Sequence, residues 1–143
     1  MDDLHRILAD HRSKNPKEEG RPEIKRQEGL VTATISEIPD LFFDDVLVSY
    51  KLTRIEVMIL MYLYRRVWCR PNLYKVYGIS QLLSHTEMSK NLCLSIEEIY
   101  QGLRKIEEYS FISTIRSGQY FVRKYFTKDL DEKYAQTYDD FEI

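Results

Sequence analysis

The chain is short of the residues that mark specialised folds. It has two cysteines, Cys69 and Cys93, 24 positions apart, with no CxxC and no histidine pair close by. Reduced thiols in an intracellular protein explain them most simply. Five glycines and four prolines among 143 residues exclude collagen-like and glycine-rich classes. No apolar run approaches the roughly 20 residues of a membrane helix. The densest, Val57 to Tyr64, ends in Arg65-Arg66 and reads as a core helix. Asp2, Asp3, His5 and Arg6 leave no apolar segment for a signal peptide, so a cytoplasmic location without membrane contact is expected.

Catalytic signatures are missing too. There is no G-x-x-x-x-G-K, G-x-G-x-x-G or G-x-S-x-G, and His85-Thr86-Glu87 lacks the second histidine of H-E-x-x-H. His5 and His11 lie near the start of the chain, and neither cysteine has a base near it in sequence. Glu97-Glu98 and Glu107-Glu108 fit a solvated helix face better than acid-base work. The expectation is a protein that is not an enzyme, with no cofactor and no metal.

What the chain does contain is unevenly placed. Composition is globular, 43% hydrophobic, 13% aromatic and 31% charged, and the apolar residues crowd between Ile38 and Phe126. The net charge of −2 hides a division: 7 basic and 8 acidic residues in 1–37, 12 and 9 in 38–126, 2 and 6 in 127–143. A mildly basic domain is thus followed by an acidic segment. Residues 1–37 read as a polar N-terminal tail, largely disordered, because Ser13 to Glu28 holds one apolar side chain, Ile24. Within it Leu4, Ile7 and Leu8 have the spacing of a short amphipathic helix that could dock on a partner or a sister chain. Residues 127–143 form an acidic aromatic tail or a short helix, with Tyr134, Tyr138 and Phe141 at helical spacing.

Between the tails each element carries its own punctuation. Ile38-Pro39-Asp40-Leu41-Phe42-Phe43 is a rigid entry expected to pack on the first helix. Thr53 and Glu56 form a capping box, and Ile55, Met58, Ile59, Tyr62 and Leu63 follow at helical spacing until Pro71-Asn72. Arg65, Arg66 and Arg70 suit the negative end of that helix. A second helix is predicted over 79–92, capped by Ser80, with Asn91 as its break. Ser95 and Glu98 make a second capping box, opening a helix whose buried stripe is Ile96, Ile99, Tyr100, Leu103 and Ile106. The period then changes. Ile112 to Arg116 and Gln119 to Phe126 read as two strands around a Ser117-Gly118 turn. The fold class is therefore α+β and mostly α, with three helices followed by a two-stranded wing.

That order is the order of the winged helix-turn-helix. Ile106-Glu107 and Phe111-Ile112, behind Leu103-Arg104-Lys105, resemble the L-x-x-L-E-x-x-G-[LFI]-I signature linking recognition helix to wing in bacterial winged-helix domains; Ser110 stands where that signature has glycine. Ile38-Pro39 and Leu52-Thr53 with Glu56 resemble winged-helix domains of plasmid and phage replication initiators and of DnaD-like replisome organisers. The likeness covers about residues 38–126 and implies double-stranded DNA as the partner, in replication initiation or transcriptional regulation.

On that resemblance the open face of the third helix would enter the major groove and the wing would reach phosphate or minor groove. Gln101 can pair with adenine, and Arg104 or Lys105 with guanine or phosphate. Ser95 starts the helix, Lys90 and Asn91 precede it, and Arg116, Ser117, Gln119, Arg123 and Lys124 supply the wing. Glu97 and Glu98 oppose this, because they stand where phosphates would arrive. The alternative is an interaction or oligomerisation adaptor that does not bind DNA. It would form a homodimer or meet a protein partner through the N-terminal segment, the acidic tail, or Phe42, Phe43, Tyr62 and Trp68 where these are exposed, although each of the four reads first as core or semi-buried.

Overall fold

A computed structural model describes residues 31–139. Two units divide the chain, Met1–Ile35 and Ser36–Ile143, and every regular element among the described residues belongs to the second. Of the expected tail, residues 31–37 carry no helix or strand, while residues 1–30, with the expected Leu4–Ile7–Leu8 helix, and Phe141 lie outside the described residues. No helix among those described is long and apolar enough to cross a membrane.

The fold is α+β. Its first element, α1, joins a wide helical turn, Phe42–Val46, to a short one, Leu47–Ser49. The entry segment turns helical from Leu41 onward. Pro39 and Asp40 supply carbonyls to the amides of Phe42 and Phe43, at 3.0 and 2.9 Å. Its buried side chains, Leu41, Phe42 and Val46, do pack on the core as expected, with Phe42 against Phe126 at 5.0 Å between ring centres.

Helix α2, Arg54–Tyr64, continues through a wide turn over Arg65–Cys69. The expected capping box is present: Glu56 N donates to Thr53 Oγ1 and Thr53 N to Glu56 Oε1, both at 3.2 Å. The helix is covered on more sides than its expected stripe. Ile59, Leu60, Leu63 and Val67 are fully buried, as is Tyr64, which stacks on Phe126. A helix apolar on nearly every side belongs at the centre of a domain. Phe42 and Tyr62 are buried and Trp68 is half-buried, in line with the core reading of these side chains, and the Trp68 indole donates to Val122 O at 3.1 Å. Of those four aromatics Phe43 alone is exposed.

The second predicted helix is much shorter. Helix α3 is His85–Leu92, and Ser84 rather than Ser80 caps it, accepting from Glu87 N at 3.1 Å. Residues 79–83 are instead drawn beside the hairpin. Ile79 pairs with Phe121, Ser80 N donates to Tyr120 O at 2.9 Å, and Leu83 N to Gly118 O at 2.7 Å. Ser80 is fully buried; its hydroxyl accepts from Tyr120 N and donates to Gln81 O. Asn91 does not break the helix, which closes one residue beyond Leu92 at Cys93, φ 56°.

Helix α4, Ile96–Glu108, has the expected Ser95/Glu98 capping box, with bonds of 3.0 and 2.9 Å. Its buried stripe is Ile99, Gly102, Leu103 and Ile106. Ile96 and Tyr100 stand outside it, 38% and 48% exposed. Gly102 makes the approach to α2 possible, because a β-carbon there would lie 2.3 Å from Ile59 Cδ1.

Strands β1, Ile112–Arg116, and β2, Gln119–Val122, pair antiparallel with an irregularity between Thr114 and Arg116. At the turn Gly118 has φ 84°, and a β-carbon on it would meet Leu83 O at 2.6 Å. The second strand stops at Val122 rather than Phe126. There the chain turns, with Phe126 at φ 73°, so that its ring enters the core between Phe42 and Tyr64. Helix α5, Lys128–Lys133, follows with Thr127 as cap. Tyr134 and Tyr138 lie beyond it, so they do not share one helical face.

Ser110 has φ 65°. A side chain in this region costs about 1–2 kcal/mol that glycine avoids. Ser110→Gly is therefore expected to stabilise the fold by about 1 kcal/mol after glycine's greater unfolded-state entropy is counted. Gly118→Ala, which meets backbone, should instead lower stability by a similar amount or more. Urea midpoints of the two variants check both signs.

Candidate functional site

Two elements with little in common in sequence border one concavity. The outer side of α4 and the hairpin enclose an open cleft of about 700 Å³ lined by His85, Tyr100, Leu103, Arg104, Glu107, Glu108, Thr114, Ser117 and Tyr120. Its base is aromatic and tied together. His85 Nε2 shares a hydrogen bond with the Tyr120 hydroxyl and meets Tyr100 edge-on at 5.1 Å. Burial pushes the Tyr120 hydroxyl up to about 12, against a smaller lowering by the Gly118 backbone.

The acids on α4 are each engaged locally. Glu98 closes the cap, Glu97 accepts from the Gln101 amide at 3.3 Å, and Glu107 accepts from the Thr114 hydroxyl at 2.7 Å. Glu108 lies 3.4 Å from Lys105 Nζ, whose proton is held more firmly because of that hydrogen bond first and the neighbouring Tyr109 second. Arg104 is exposed at the cleft, and its guanidinium has no partner among the described residues.

The anticipated contact residues fall into separate groups. Gln101, Arg104, Lys105, Arg116 and Ser117 are exposed on α4 or at the hairpin turn, and Lys90 is exposed on α3. Ser95 is exposed, but its hydroxyl is committed to the cap. Asn91 is also exposed, with its amide 3.4 Å from the Tyr62 hydroxyl. Gln119 is not presented at all. It is 3% exposed, donates to Ser80 O at 3.0 Å and accepts from Arg116 Nε at 3.0 Å. The pairing of 79–83 with β2 turns this side chain inward.

Arg123 and Lys124 also leave the expected group. Arg123 donates to Ser110 O and pairs with Asp131 at 3.1 Å. Lys124 is half-buried with Nζ over the rings of Trp68 and Tyr125, and its amide donates to the Tyr138 hydroxyl. Neither lines the cleft. Asp131, 3% exposed, accepts from Arg123, from Tyr125 N at 3.0 Å and from the Tyr138 hydroxyl at 2.8 Å. The acidic segment therefore neutralises one hairpin cation at the strand's end, away from the turn.

Sequence spacing did not point to His85, Tyr100 or Thr114. Tyr100 follows Ile96 by four and so joins its stripe on paper, but it sits at the stripe's edge, where a phenol reaches water. His85 and Tyr120 are 35 residues apart, with no local signal joining them. Among the described residues no group of histidine, cysteine and carboxylate could hold a metal ion. Cys69 and Cys93 are free; burial raises the Cys69 thiol, which donates to Glu37 O at 3.3 Å.

Three of the eleven tyrosines, Tyr64, Tyr120 and Tyr138, are held protonated above the ordinary range, with burial the largest cause in each. Unfolded tyrosines ionise near about pH 10. Because the folded values are raised, the associated stability is intact below about pH 10 and is lost as pH climbs through the folded values. Absorbance at 295 nm should show these three ionising late, with Tyr120 near pH 12 unless alkaline unfolding comes first. A single titration of all tyrosines near pH 10 in protein still folded by circular dichroism would contradict this.

No family model matches the chain, and neither a curated protein nor a solved structure matches it.

Proposed function

We propose that residues 38–126 form a winged helix-turn-helix whose third helix and wing bind double-stranded DNA, in replication initiation or transcriptional regulation. The observation that carries this reading is the cleft between α4 and the hairpin, with Arg104 unpaired on one wall and the Ser117 turn on the other. The two glutamates that opposed DNA in the sequence have local partners, Ser95 and Gln101. Gln101 can swing from Glu97 to an adenine edge, and Arg104 can fork onto guanine or a phosphate. Arg116 at the turn and Lys90 on α3 flank the helix as phosphate contacts.

A second reading takes the same face for a protein partner. From Ile96 to Glu108 there are four glutamates against Arg104 and Lys105, and such a face suits a basic surface better than a phosphate backbone.

Fluorescence anisotropy with a random duplex at 50 to 200 mM salt separates them. Changing Lys90, Arg104 and Arg116 together to alanine should weaken binding and flatten the salt dependence by up to about three units of logarithmic slope. Duplex binding indifferent to all three changes, or none at 50 mM salt, removes DNA and leaves the protein-partner reading.

A further inference from the structure

The base and the walls of the cleft beside α4 offer different chemistry. At the base His85 Nε2 and the Tyr120 hydroxyl are bonded to each other, so neither atom is left to meet a phosphate oxygen. What they present instead is ring surface. Tyr100 extends it, 48% exposed and held edge-on to His85. Arg104 follows Tyr100 by four residues, one turn along the same side of α4, where such side chains are neighbours. Both line the cleft, and the Arg104 guanidinium has no partner among the described residues.

A ring platform with a guanidinium fork one turn away matches a nucleotide, base to ring and phosphate to fork. The base has to be unpaired for this. In a duplex each base lies within the stack and shows only its edges in the grooves, so ring surface in the cleft would gain nothing from it. A single strand exposes base faces, and aromatic side chains stack on them whatever the sequence. Charge favours the same form. A duplex brings two rows of phosphates towards α4, where Glu97, Glu98, Glu107 and Glu108 outnumber Arg104 and Lys105. A single strand brings one row, which can run between Arg104 and the Ser117 turn. Glu107 and Glu108, also in the lining, can then accept from the exocyclic amino groups of the unpaired base.

We propose that the cleft takes an unpaired nucleotide of single-stranded DNA, its base stacked on Tyr100 and its phosphate held by Arg104. This rests on the reading of the cleft as a DNA-binding surface and names the form of DNA that enters it. Lys90 and Arg116 are not in its lining, so a duplex held by them can continue into the cleft as a single strand.

Fluorescence anisotropy of the full chain with a mixed-sequence single strand, and with that strand annealed to its complement, tests this at about 50 mM salt. The single strand should bind about tenfold tighter than the duplex. Tyr100→Ala should cost the single strand about tenfold and remove most of that preference, whereas Tyr100→Phe should keep both. Thermal melts establish that each variant folds; if Tyr100→Ala does not, Tyr100→Leu, which has apolar bulk but no ring, takes its place. A duplex bound as tightly as the single strand overturns the proposal. So does single-strand affinity that the folded Tyr100→Ala leaves unchanged, or a loss in Tyr100→Phe as large as in Tyr100→Ala, which would make the hydroxyl and not the ring the contact. The duplex reading outlives those results where Lys90, Arg104 and Arg116 still govern duplex affinity. Binding of neither form overturns both.

Discussion

Ile59, Leu60, Leu63 and Val67 on α2 lose all contact with water, and the other elements take their positions from that requirement. Each such side chain contributes about 1.5–3 kcal/mol on burial, more than a typical single polar tie. Gly102 lets α4 approach Ile59 from one side. Phe126 reaches Tyr64 from another, and Phe42 of α1 covers Phe126 in turn. The backbone yields where the packing demands it. Phe126 accepts a left-handed conformation, and the last turn of α2 widens while Val67 stays fully buried. That widening leaves the arginines of the turn together on the outside.

Two buried polar junctions convert this core into a fixed surface. Ser80 bonds the Tyr120 amide and Gln119 bonds the Ser80 carbonyl, locking residues 79–83 to β2. The hairpin turn is thereby held against Leu83 and cannot swing independently of α3, which begins two residues later. Asp131 does the same at the hairpin's other end, taking Arg123, the Tyr125 amide and the Tyr138 hydroxyl. Removing one partner from a buried charged pair costs several times what an exposed pair contributes. The acidic C-terminal segment is thus part of the domain's structure through α5 and Tyr138.

Local chemistry was legible where a residue's role was decided within a turn. Thr53 with Glu56 and Ser95 with Glu98 are reciprocal caps whose partners lie three positions apart, and both appear where the sequence placed them. The Ser117-Gly118 turn is equally local. Ser80 misled because serine before an apolar run is also a cap signal, and the competing bonds to Tyr120 come from 40 residues away. Gln119, Arg123 and Lys124 failed as a surface group for the same reason. Alternation in a strand tells which side chains share a face, but not that Asp131 and Ser80 will claim them. The wide turn at Arg65 had no sequence signal, so three arginines read as helix-end charges instead of one cluster.

Electrostatics sets the character of the cleft beside α4. On α4 the glutamates outnumber the cations, and the cations that remain either pair with them or stand alone as Arg104 does. A duplex approaching that face would release few counterions, so affinity there must come from hydrogen bonds to base edges and from shape. At the end of α2, by contrast, Arg66 is fixed in place, donating to the Tyr62 hydroxyl and lying over its ring.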